Sequence, residues 1–386
     1  MLLTLLSAAG VAEAKEVPRG PAAAEFYEAP GDLPKGHGKA IWQRTTTNAT
    51  VELARAKYTK KILYTSKSPQ QERIVVSGSF SIPKGKTPKR GWPVITYAHG
   101  TTGVADQCAP SRVQAGSEDQ SETTYVYPEL NDWLKVGYAI LRTDYPGLGT
   151  AGPRAYLIGK SEARGVLDIV RAARQVESEL GERYLIAGHS QGGQAALFAG
   201  RYAAGWIPEL KPRGTVSYAP ASHLTLQLET LPLLTTPSSL SAEAALTLFG
   251  AATANPGVVP TELLTSEANA LYPEVDRKCL AELERPDSLG GLPPSELIAP
   301  GADTSTLRQV LDKNNPAVSI PEPIFLAQGG ADTTVPPALT DLLDAELRVL
   351  GDDVTYRLYP GVGHTGIVAA AEPDALTFME ERLPPG

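Results

Sequence analysis

Basic runs, cysteines and long apolar stretches are scarce in this chain, and each scarcity excludes something. Lysine and arginine (35) are outnumbered by acidic residues (43), the net charge is −8, and no basic cluster stands out. That excludes nucleic acid and an anionic membrane surface as partners. Two cysteines, Cys108 and Cys279, leave room for one disulfide at most. No internal repeat or low-complexity tract interrupts the 386 residues. The apolar run at the start, in "MLLTLLSAAGVAEA", is too short to span a bilayer. It is followed by the small-x-small pattern Ala12-Glu13-Ala14, so residues 1–14 are expected to be a secretory signal, although one without a basic leading segment. In an exported chain an isolated cysteine pair is most simply a disulfide, here one closing a long loop; two unpaired buried thiols are the alternative.

The remaining composition is that of a globular protein, 42% hydrophobic and 20% charged. Glycine (36) and proline (33) are numerous, which favours many tight connections over long repetitive helices. Residues 15 to about 50 read as an irregular lead. From Ile62 strands follow: "ILYTS", "ERIVVSGSFSIPKG", "WPVITYAHG" and "YAILRTDYPGLG". "SEARGVLDIVRAARQVESELG" is the clearest amphipathic helix, with Ser161 expected as its N-cap and Gly181 as its stop. "YLIAGH" and "GTVSYAP" continue the strand rhythm. Strands alternating with helices of this length predict an α/β fold, a mostly parallel central sheet with helices on both faces. After Pro220 the rhythm breaks, and residues 222–320 carry helical stretches and Pro-rich links but no strand of quality. It resumes with "PIFLAQGGAD" and "VTYRLYPGVGH". The organisation expected is therefore a core over 15–221, an inserted helical cap or lid over 222–320, and the rest of the core over 321–386.

Within "YLIAGHSQGGQAALFAG" the pattern Gly188-His189-Ser190-Gln191-Gly192 follows a strand and opens a helix. A structural turn there would use the glycines; a nucleophile elbow uses the glycines and the serine, because the strained turn lifts the hydroxyl clear of the sheet. A serine is a poor nucleophile without a base. Of five histidines, His189 lies inside the elbow, where neighbouring side chains diverge. His37 lies in the lead, His99 ends a strand, and His223 opens the insertion. His364, in "YPGVGHTG", follows the last strand, where a base belongs if the sheet's carboxyl ends converge. The base needs an acid to fix its tautomer. Asp332 in "GGADTTVP" lies directly past the preceding strand; Asp344 falls in a helical stretch, and Asp352 and Asp353 precede the last strand at its wrong end. The order Ser190, Asp332, His364 is that of α/β-hydrolases. Oxyanion donors are expected from the backbone N–H of Gln191 and from the "HGTTG" loop, with Thr101 favoured over Gly100 and Thr102. Asp144 and Tyr145, at another strand's end, are expected to line the pocket, with turn and packing roles as the alternative.

These residues carry a resemblance. "WPVITYAHGTTG", "RTDYPGLGTAG" with "YLIG", "GHSQGGQAAL", "GGADTTVP" and "GVGHTG", spread over most of residues 60 to 370, resemble the secretory lipase family of α/β-hydrolases. The resemblance implies hydrolysis of carboxylic esters through an acyl-enzyme, with no metal or cofactor, and makes the block between "SYAP" and "PIFLAQ" the cap. The expected function is that of a secreted serine carboxylesterase or lipase. Its partner is a small-molecule or lipid ester, met at a lipid–water interface if lipid; no obligate protein partner is implied. A serine exopeptidase or prolyl-oligopeptidase-like peptidase on the same fold is the alternative, although no propeller precedes the catalytic region.

Overall fold

The computed structural model describes residues 16–385, so the expected signal over 1–14 lies outside the described residues. Among the described residues nine strands form one sheet: β1 (Ala40–Thr46), β2 (Ala56–Lys67), β3 (Arg73–Pro83), β4 (Trp92–Ala98), β5 (Ala139–Thr143), β6 (Leu180–His189), β7 (Lys211–Tyr218), β8 (Ile324–Gly329) and β9 (Val354–Tyr359). Their spatial order is β1-β2-β3-β5-β4-β6-β7-β8-β9. β1, β2, β3 and β5 pair antiparallel in turn, and every pair from β5 through β4 to β9 is parallel. β4, β5 and β8 are buried at every position, as strands covered on both faces must be, so they read as mostly apolar stretches without the alternation of a half-exposed strand.

Before the insertion the helices are α1 (Gln120–Thr124), α2 (Tyr127–Val136), α3 (Gly159–Val176) and α4 (Gln191–Trp206). Between β7 and β8 lie α5 (Leu224–Thr230), α6 (Leu240–Ala254), α7 (Pro260–Leu263), α8 (Ser266–Leu271), α9 (Leu280–Leu283) and α10 (Ser305–Lys313); α11 (Pro337–Val349) and α12 (Ile367–Arg382) complete the chain. α3 and α4 bury Leu167, Val170, Ala196 and Phe198 against one face of the sheet. α2 and α12 bury Trp133, Leu130, Ala371 and Phe378 against the other. No helix among the described residues is long and apolar enough to cross a membrane.

The insertion has an apolar centre of its own, with Leu246, Leu264, Leu283 and Leu311 among its buried residues; Val104, Tyr156 and Leu157 of the core join it. α6 lies directly on the Tyr156 backbone: a Cβ at Gly250 would stand 2.0 Å from the Tyr156 carbonyl oxygen, so only glycine fits. A second tie comes from α9. Cys108 and Cys279 form a disulfide across 171 positions of sequence, and the Leu280 N–H donates to the Thr102 carbonyl at 3.0 Å.

Three local expectations are corrected. The lead is not wholly irregular, because Ala40–Thr46 forms β1 and β2 begins six residues before Ile62. β1 is an edge strand whose burial does not alternate cleanly, which hides its period. Ser161 is not the N-cap of α3, which opens two residues earlier; there the Asn314 side chain receives the Gly159 N–H at 2.9 Å and stands in for a local cap. Gly181 does not stop that helix. α3 ends at Val176, and Gly181 belongs to β6, where a Cβ would come within 3.0 Å of the Arg90 and Trp92 carbonyls.

Candidate active site

The sheet order reverses direction at β4, with β5 on one side and β6 on the other. Such a switch point opens a crevice past the carboxyl ends of the strands. Thr101 follows β4 there, Ser190 follows β6, Asp332 follows β8 and His364 follows β9.

Ser190 has φ 59° and ψ −119°, a left-handed conformation costing a non-glycine residue on the order of 1–3 kcal/mol. The turn is held from both sides. A Cβ at Gly188 would lie 2.1 Å from the Gly192 carbonyl oxygen, and one at Gly192 would lie 2.0 Å from the Ala98 carbonyl oxygen. The Ser190 N–H donates to the Tyr218 carbonyl at 2.9 Å, fixing the elbow to β7.

Nε2 of His364 stands 2.9 Å from Ser190 Oγ, and its Nδ1 stands 2.7 Å from Asp332 Oδ2. The Asp332 carboxylate is fully buried, while the imidazole keeps 17% of its surface exposed. Backbone N–H groups of Thr334 and Val335 donate to Oδ1 at 2.9 Å each, and Gln328 Nε2 donates to Oδ2 at 3.0 Å. An ionised carboxylate suits that environment, since only an acceptor satisfies all four donors. Nδ1 then carries the imidazole proton, leaving Nε2 to accept from the serine. The competing acids are engaged elsewhere: Asp344 pairs with Arg348, and Asp352 receives the Ile320 N–H.

The other histidines have separate partners. His37 binds the buried Asp168 at 2.5 Å, and His223 meets Glu346 at 3.1 Å. His99 packs on Tyr145, and burial pulls its pKa down. His189 braces the base. Its Nε2 donates to the His364 carbonyl at 3.0 Å, so its Nδ1 accepts from the Tyr125 hydroxyl at 2.5 Å. Burial first, and the charge of His364 second, hold its pKa well below the ordinary value, which keeps that tautomer neutral.

Gln191 opens α4, so its N–H has no intrahelical carbonyl to meet and lies at the positive end of the helix dipole. Thr101 faces the cavity beside Ser190, and its hydroxyl is paired with that of Tyr156 at 2.7 Å. Thr102 is turned inward, 1% exposed, with its carbonyl taken by Leu280. Sequence reasoning missed Glu162 behind this loop. Its Oε1 accepts from the Gln191 side chain at 2.6 Å and from the Leu157 N–H at 2.9 Å. Burial pushes its carboxyl up to about 8 against the pull of those two donors. On α3 a glutamate reads as solvent-facing, and only the short Tyr156–Ile158 loop ahead of it hints otherwise.

A cavity of about 330 Å³ opens from Ser190 under the insertion, walled by Leu224, Leu231, Leu248, Leu307 and Val335 among others. Asp144 and Tyr145 do not line it. Asp144 is 1% exposed and accepts from Ser77, from the Ser111 N–H and from the Ser111 hydroxyl. Tyr145 donates its hydroxyl to the His99 carbonyl at 2.8 Å. Both hold the β4 and β5 loops together, so their placement is that of packing residues.

A model of the secretory lipase family matches residues 109–385. Among curated proteins no sequence matches. The fold is similar to that of Candida antarctica lipase A in its closed state, at TM-score 0.78 and 19% identity, covering 92% of this chain and 85% of that one. It is also similar to the rice cell wall degrading esterase LipA from Xanthomonas oryzae, at TM-score 0.73 and 18% identity, covering 90% of this chain and 98% of that one. A putative hydrolase of Legionella pneumophila aligns at TM-score 0.71 and 18% identity, over 89% and 99% of the two chains.

Proposed function

The chain belongs to the secretory lipase family and is an ester hydrolase; from that premise we propose that it is a secreted serine carboxylesterase or lipase acting through a covalent acyl-enzyme. The observation that carries the reading is the continuous hydrogen-bond chain Ser190–His364–Asp332 at the mouth of an apolar cavity. Ser190 Oγ attacks the ester carbonyl while His364 Nε2 takes its proton, and Asp332 steadies the imidazolium that forms. The oxyanion is received by the N–H groups of Gln191 and Thr101, preset by the elbow and by the Thr101–Tyr156 pair. His364 returns the proton to the leaving alcohol. Water, deprotonated by the same histidine, then attacks the acyl-enzyme and releases the carboxylic acid.

Residues 222–320 act as the cap of this site and shape the cavity that takes one side of the ester. The apolar leader and the disulfide support secretion, since a disulfide persists in oxidising surroundings. The test compares p-nitrophenyl butyrate with an aminoacyl-p-nitroanilide. Rapid cleavage of the ester, lost in Ser190→Ala, with no cleavage of the anilide, is the expected result. Preference for the anilide would make the protein a peptidase, and undiminished ester cleavage by Ser190→Ala would remove Ser190 from the mechanism.

A further inference from the structure

α6 turns one stripe to the cavity: Leu240, Glu243, Ala244, Thr247 and Leu248, spaced as one face of a helix. Glu243 breaks the apolar character of that stripe. Among the described residues it is the only acidic or basic side chain on the cavity wall, where the other polar groups are hydroxyls and the Gln227 amide. Its carboxyl takes part in no side-chain hydrogen bond or ion pair among the described residues; its backbone alone is engaged, the N–H donating to the Ser239 carbonyl at 3.2 Å and the carbonyl accepting from the Thr247 hydroxyl at 2.8 Å. Glu243 is half-buried with its side chain on the cavity wall, so whatever fills the cavity is its carboxyl's partner, and packing gains nothing from it that a leucine would not supply better.

We propose that Glu243 reads charge on the substrate, so that the cavity prefers esters bearing a cationic ammonium group over matched neutral esters and rejects anionic ones. This rests on the serine-esterase reading above and adds a substrate class to it. The surroundings favour a cation. Burial pushes the Glu243 carboxyl up to about 7; His364 pulls it down, while Glu284, Asp332 and Glu122 push it up. Tyr156 is the remaining ionisable group on the wall, and α5 and α10 present Leu224, Gln227, Leu228, Leu307 and Leu311 to the cavity, none of them charged. Apart from an imidazolium, then, every charge acting on the carboxyl is negative. An ammonium group entering the cavity holds Glu243 ionised and is held by it. A carboxylate meets repulsion. At partly buried distances of about 6 Å, Coulomb attraction is worth about tenfold or more in kcat/KM.

The experiment uses three p-nitrophenyl esters: 6-(trimethylammonio)hexanoate, its uncharged isostere 7,7-dimethyloctanoate, and the adipate monoester. The wild-type enzyme is expected to prefer the cationic ester over its isostere about tenfold at pH 8.5 and to disfavour the adipate by a similar factor. The preference should shrink as pH falls through about 7, where Glu243 takes up its proton. In Glu243→Gln both ratios should approach one, and in Glu243→Asp their direction should survive. The isostere measured on the same preparation is the reference for each variant, so a poorly folded sample does not mimic the effect. Isostere cleavage with a cation preference unmoved by Glu243→Gln overturns the charge reading alone. Failure of the wild type to cleave the isostere overturns the esterase reading and this one with it.

Discussion

Replacing both cysteines with serine tests how the insertion is tied to the catalytic loop. The bridge closes a segment of 171 positions, so a chain-entropy model puts its restriction of the unfolded state at about 5 kcal/mol. At about 2.1 cal/mol/K of unfolding entropy per residue, a chain of 386 residues converts that into a fall in Tm of about 6 °C. Cys108 lies in the loop after β4, whose Thr102 carbonyl holds Leu280, and a Cβ at Gly103 would come within 2.9 Å of Cys108 Sγ. Loosening this knot also loosens Thr101. A lower kcat should therefore accompany the lower Tm, even well below the melting range. Scanning calorimetry and p-nitrophenyl butyrate kinetics on the Cys108→Ser/Cys279→Ser double variant would show both, and dithiothreitol on the wild type should reproduce them. An unchanged Tm in the double variant would refute the argument; a lowered Tm with full activity at 25 °C would refute its second half.

Other substitutions have equally definite outcomes. Asp332→Asn keeps an oxygen for the Thr334 and Val335 amides but turns an NH₂ toward both Gln328 Nε2 and His364 Nδ1, which share Oδ2 in the wild type. The wrong imidazole tautomer should follow, with kcat about three to four orders of magnitude lower and little change in circular dichroism. Ser190→Ala and His364→Ala should each cost about 10⁶ in kcat, and the double variant scarcely more, because the groups act as one unit; additive losses would contradict the triad. Glu162 keeps its proton in the folded state up to about 8, while the unfolded chain releases it near 4.5. Stability should therefore fall as pH rises between those values, by at most about 1.4 kcal/mol per pH unit from this group. Glu162→Gln should flatten that slope in urea titrations at pH 5, 6.5 and 8; parallel pH profiles for the two proteins would rule the effect out.

How far the sequence reveals all this depends on whether a residue's task is local. β4 and β8 are legible because burial on both faces makes them mostly apolar, with a single polar side chain in each, Thr96 and Gln328. Ser190 is legible because the two glycines of the strained turn, one crowded by the turn itself and one by β4, fall within five consecutive residues of sequence. Asp332 and His364 are picked out by standing just past strands, and all three side chains do meet within hydrogen-bond reach. What escapes is set by distant partners. Asn314 starts α3 from another element, so Ser161 misleads as a cap. Asp144 looks like a pocket residue at a strand end, yet Ser77 and Ser111 from elsewhere claim it. Glu162 and Glu243 lie on helices, where an acid ordinarily marks the solvent side, and only the packing of loop and insertion turns them inward.

The most direct test of the central claim is to trap the nucleophile. The protein, treated with a fluorophosphonate and digested, should carry one phosphonyl adduct per chain on Ser190, formed rapidly in the wild type, slowly in His364→Ala and not at all in Ser190→Ala. An unlabelled protein that still cleaves esters, or a label on another residue with Ser190 free, would contradict the account.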